Sequence, residues 1–220
     1  MSGLHTAGMQ AGAFAINFSA VLVMAWAIAT CASAPTAIGV FAAVTLYALR
    51  SGGDTLVSAW NPHVVVLPMM AFIVVAASLA ATGRRTLIFW LVGLGTFLVQ
   101  THLAMTPLVG ALLVLVAIAQ PRAVSETWPR AAALTLALWM PPLVDELTRR
   151  PGNLTKIVLF FVGGTSRQPI DAAAAAWASA LTSPFRPGFV VAAGLDLPPV
   201  GAWSIVAAFA QLLVLGAVVL

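Results

Sequence analysis

From Thr86 to Gln120 the chain carries no Asp, Glu, Lys or Arg, and most of its residues are aliphatic or aromatic. A run of about 35 such residues has no polar face, so it does not read as the amphipathic helix of a soluble domain. As one helix it would measure about 52 Å, at about 1.5 Å per residue. The hydrocarbon core of a bilayer is about 30 Å thick, so one span is too little for this run and two tightly linked spans fit. The only polar break is "QTHLAMTP", with Gln100, Thr101 and His102 side by side and Pro107 just after. Polar groups are expensive inside hydrocarbon. The chain is therefore expected to reverse there, at the membrane surface.

The rest of the sequence agrees. It is 61% hydrophobic and 7% charged, and its mean hydropathy is +1.04. A soluble domain could not wet such a surface. The net charge of +4 comes from basic residues scattered among loops, which argues for orientation in a membrane and against nucleic acid. Cys31, the single cysteine, has no internal disulfide partner and reads as a small buried hydrophobe. The first ten residues, "MSGLHTAGMQ", lack the basic start of a cleaved signal peptide, so the first apolar stretch is expected to stay in the protein.

The expected architecture is an all-α polytopic bundle of about seven spans. They fall at about 11–30, 34–50, 63–81, 86–102, 106–120, 130–142 and 202–220. "SGGDTLVSAWNP" and "QPRAVSETWPR" read as polar turns, and 143–200 as an outer loop with interfacial helices. Within that loop "PIDAAAAAWASALT" reads as an amphipathic helix, with Asp171 near its N-terminus. Arg84, Arg85, Arg122 and Arg130 lie in two short loops, which are expected to face the cytoplasm.

Polar residues then gather on the opposite side. Asp54, Trp60, Asn61 and His63 flank one outer loop, Gln100, Thr101 and His102 form the next, and Asp145, Glu146, Arg149 and Arg150 begin the third. Together they can line one chamber, where a histidine and a carboxylate serve proton transfer and paired arginines bind a phosphate. Taken singly, each has a plainer role. The histidines suit a membrane interface, the 145–150 charges suit helical ion pairs, Asp54 suits a turn, and Trp60, Trp128 and Trp139 suit an aromatic belt. The three histidines make no metal motif, and there is no Walker loop, nucleophile elbow or HExxH.

"AWNPHVVVLPMMAF", "LVQTHLAMTPLVGALL" and "WMPPLVDELTRRPGNLTKIVLFF" follow one another in an order that resembles the multi-spanning GT-C-type glycosyltransferases. The resemblance is to uncharacterised bacterial membrane proteins near the dolichyl-phosphate-mannose-dependent mannosyltransferases. It covers about residues 58–162. It implies an enzyme of the bacterial plasma membrane that transfers a sugar from a polyprenyl-phosphate donor on the outer face. Arg149 and Arg150 would then contact phosphate, Gln100 and His102 would orient donor or acceptor, and Asn153 would line the chamber. Such enzymes carry a catalytic acid in the first outer loop, and Asp54 is not in an equivalent position. The chain is accordingly expected to be a piece of a longer protein, with its catalytic residue unassigned. No cofactor is expected, and a divalent metal stays open. The expected partners are membrane lipids and a polyprenyl-phosphate-linked sugar. The alternatives are a transporter or flippase subunit and a non-catalytic membrane scaffold.

Overall fold

The computed structural model describes residues 2–31 and 33–163, with positions 169 and 206 besides. Those two positions apart, the expected amphipathic helix after Gln168 and the expected last span at 202–220 lie outside the described residues. The chain divides into two compact units, Met1–Asn153 and Leu154–Leu220. Among the described residues the structure is all-α, without strands.

The first unit holds seven α-helices: α1 (Ser2–Cys31), α2 (Ala34–Leu56), α3 (Asn61–Val64), α4 (Val66–Thr82), α5 (Thr86–Thr101), α6 (Thr106–Ala119) and α7 (Pro121–Thr148). α8 (Asn153–Val162) leads into the second unit. It is a ten-residue helix with exposed Val158, Leu159 and Phe160. Among the described residues two stretches are long and apolar enough to cross a membrane, Thr6–Cys31 and Asn61–Thr82. Ala34–Leu49, Thr86–Thr101 and Leu103–Ala119 are apolar but shorter.

The helix ends follow from local chemistry. Ser33 caps α2, its hydroxyl accepting from the Thr36 N–H, with a proline in the first turn. Gly52, at φ 74°, interrupts α2 one turn before its end. Gly83, at φ 64°, ends α4 in the left-handed region, its N–H donating to the Leu79 carbonyl. At "QTH" the chain does reverse. His102 leaves α5 in an extended conformation, a 3-10 turn follows over Leu103–Met105, and α6 starts with a proline in its first turn.

α4 is the central helix, packed against α1, α5 and α6. Its Phe72, Val75 and Leu79 are fully buried with Leu87 and Leu98 of α5 and Met24 of α1. Gly95 lets α5 approach closely: a Cβ there would stand 3.1 Å from the Phe72 ring and 3.3 Å from Val109.

Two expected boundaries are corrected. "QPRAVSETWPR" is not a turn. Only Gln120 is non-helical, and residues 121–130 form the first turns of α7. Polarity there marked exposure rather than chain reversal. Pro121 sits where a helix needs no N–H, and Glu126 pairs with Arg85. The outer loop likewise does not begin at 143, because α7 runs on to Thr148 through Pro141 and Pro142.

Candidate functional site

The turns fall into two groups. At one end Gln120 of the α6–α7 junction donates to the Ala80 carbonyl at 2.7 Å and lies over Gly83, while Thr82 Oγ1 is 4.0 Å from Cys31 Sγ. At the other end lie the α2–α3 and α5–α6 connections, and the candidate site is built there.

Two of the three expected polar groups meet at that end. Asn61 of "WNP" and Thr101 of "QTH" line one open cavity of about 260 Å³, with Met9, Gly12 and Phe97 among its other walls. Next to Asn61, the His63 ring stands edge-on to Trp60, with centroids 4.7 Å apart. Both His63 nitrogens are buried without a hydrogen-bond partner. His63 is not among the residues that line the cavity.

Gln100 turns away from the cavity. Its Nε2 donates to the Leu138 carbonyl on α7 at 3.1 Å. That carbonyl would normally accept from residue 142, which is a proline without an N–H. Gln100 therefore satisfies an acceptor that Pro142 leaves open. His102 is half-buried, and its backbone N–H and C=O close the helix end and the 3-10 turn.

The third group stands apart. Asp145 lies seven residues beyond Leu138, about 10 Å further along α7. Its Oδ1 accepts from Arg149 Nε at 3.1 Å and its Oδ2 from the Asn153 N–H at 3.1 Å. One carboxylate thus holds both the end of α7 and the start of α8. Gly152 is buried against Glu146, where a Cβ would overlap the Glu146 backbone and side chain. Arg150 is exposed and makes no ion pair among the described residues. No hydrogen bond or ion pair links Arg149, Arg150 or Asn153 to 100–102 among the described residues. The expected single chamber is therefore two places: a cavity with Asn61 and Thr101, and an exposed turn built on Asp145. Asp54 is exposed and outside the cavity.

Asp145→Ala should loosen that turn. It removes an exposed ion pair and a helix-start acceptor, together worth about 1 kcal/mol. Trypsin should then cut the folded chain after Arg149 about fivefold faster, measured by limited proteolysis.

Sequence reasoning missed Asn17. It is 4% exposed in the middle of α1, and its Nδ2 donates to the Leu56 carbonyl at 2.7 Å, while its Oδ1 has no partner. The signal was available, since a lone amide inside an apolar span needs a reason. Among the described residues no group of three or more His, Cys, Asp or Glu side chains can hold a metal ion. No protein-family model, no curated protein and no solved structure matches the chain.

Proposed function

We propose that the chain is a multi-pass protein of the bacterial plasma membrane, a bundle of about seven spans whose His102 end faces outward. What supports the membrane is where the apolar side chains point. Leu49 on α2, Ile118 on α6 and Leu136 on α7 are 77%, 72% and 62% exposed, and they belong to long rows of similar neighbours. A face that large and apolar suits lipid rather than water. The basic residues Arg84, Arg85 and Arg122 gather at the opposite end, as cytoplasmic residues do.

The activity we propose is transfer of a sugar from a polyprenyl-phosphate donor at the outer end. One observation carries it: the cavity that joins Asn61 of "WNP" to Thr101 of "QTH", two of the motifs behind the GT-C resemblance. Asn61 and Thr101 supply amide and hydroxyl groups to that cavity, suited to a sugar or acceptor hydroxyl. Arg149 and Arg150 stand exposed beyond it, Arg149 with its Nε held by Asp145 and Arg150 without an ion pair among the described residues, and a phosphate at the membrane surface can reach both.

A photoreactive polyprenyl-phosphate-sugar analogue, added to membranes containing the protein, tests this. Labelling should map to the segments around 61 and 101. Thr101→Trp, which fills the cavity, should lower labelling about tenfold, and Arg149→Ala several-fold. Unchanged labelling in both variants would remove the transferase proposal. Alkaline carbonate extraction tests the membrane assignment separately, because only a spanning protein stays in the pellet.

A further inference from the structure

A second groove, away from the cavity with Asn61 and Thr101, has an apolar lining and a neighbouring charge that select its occupant. α1 and α5 both pack on α4, and a groove of about 290 Å³ runs between them. Ala15, Ser19 and Val23 form the α1 wall, and Trp90, Leu94 and Phe97 form the α5 wall. Over the α1 wall, Ala15 to Val23, the groove is about 12 Å long. Apart from Ser19, every side chain lining it is apolar, as a hydrocarbon chain requires.

The charge lies at one end. Trp90 packs against Trp26, with ring centroids 6.2 Å apart, and the Arg84 guanidinium lies over Trp26 at 5.6 Å. Arg84 is exposed and has no anionic partner among the described residues, whereas its neighbour Arg85 is taken by Glu126. α5 begins at this point without any side chain capping it, so its positive end adds to the field of Arg84. An apolar slot, a pair of tryptophans and a free cation thus follow one another along the helices. That is the order of an acyl chain, an interface and a headgroup phosphate.

We infer that this groove holds one anionic glycerophospholipid of the cytoplasmic leaflet, with an acyl chain between α1 and α5 and the phosphodiester at Arg84. The inference rests on the membrane assignment above and is independent of the transferase proposal.

The test is native mass spectrometry of the full chain, purified in detergent and given dioleoyl-phosphatidylglycerol or dioleoyl-phosphatidylcholine. One phosphatidylglycerol should be retained, at least fivefold over phosphatidylcholine. Arg84→Gln should bring that ratio close to one, while Arg122→Gln, which removes an exposed charge elsewhere at the same end, should leave it unchanged. Ala15→Phe, which fills the groove, should release both lipids. Equal retention of the two lipids by the unaltered protein would overturn the inference. So would equal losses in the two arginine variants, which would mean general attraction to anionic lipid, or Ala15→Phe with full retention. A disulfide-linked dimer of Ser19→Cys would overturn it in favour of a second copy of the chain. Carbonate extraction separates the premise from the inference: release of the protein overturns both, whereas a pelleted protein without selective lipid retention overturns the lipid site alone.

Discussion

Phe72→Ala should destabilise the folded protein by about 3–5 kcal/mol, the largest loss expected from any single truncation in this core. Phe72 is fully buried at the centre of α4 and lies against Gly95 of α5. Removing its ring leaves a cavity that the neighbouring helices cannot collapse, because both are held at their ends. The check is thermal unfolding in a mild detergent, comparing the variant with the unaltered chain. Gly95→Ala supplies an internal control. Alone it should be destabilising, since its Cβ meets the Phe72 ring at 3.1 Å. In the Phe72→Ala background the same methyl enters vacated space and should recover about 1 kcal/mol.

Gly83→Val should cost about 2–3 kcal/mol. Gly83 ends α4 at φ 64°, a conformation that costs a side-chain-bearing residue about 1–2 kcal/mol. A Cβ there would also stand 2.8 Å from Gln120 Oε1. Gln120 must then move, and its 2.7 Å hydrogen bond to the Ala80 carbonyl is lost, for about 1 kcal/mol more. Gly83→Val in a Gln120→Ala background isolates the backbone part. There the glycine replacement should cost only about 1–2 kcal/mol relative to Gln120→Ala alone. Equal costs in both backgrounds would mean that Gln120 and residue 83 do not interact.

The helices were legible where apolar runs met turn chemistry. The division of 86–120 at "QTHLAMTP" followed from length alone, and the chain does reverse at His102. The start of α2 at Ala34, just after the Ser33 cap, was also visible. What misled was polarity used as a marker of turns. "QPRAVSETWPR" is polar because it is exposed, yet it is helical because Pro121 occupies a first-turn position, and Glu126 finds Arg85 across at the start of α5. Of the candidate site, the meeting of Asn61 with Thr101 was legible, because alternating spans put their segments on one side. The distance to Arg149 was not. It depends on α7 continuing past Gln100, through two prolines that on sequence grounds should have ended it. The role of Gln100 was hidden for the same reason, since nothing in "QTH" says that Pro142 frees a carbonyl beside it.

Three side-chain amides cross from one helix to another, and each meets a carbonyl that its own helix cannot use. Asn17 reaches Leu56 at the end of α2, Gln120 reaches Ala80 at the end of α4, and Gln100 reaches Leu138 below Pro142. Apolar helices can slide along one another at little cost, because one methyl replaces another in the contact. These amides cannot slide. A shift of one turn, about 5.4 Å, would carry each amide past its carbonyl and break the hydrogen bond. Here the three amides act as detents, and the level at which Asn61 comes to stand beside Thr101 is set by where they click.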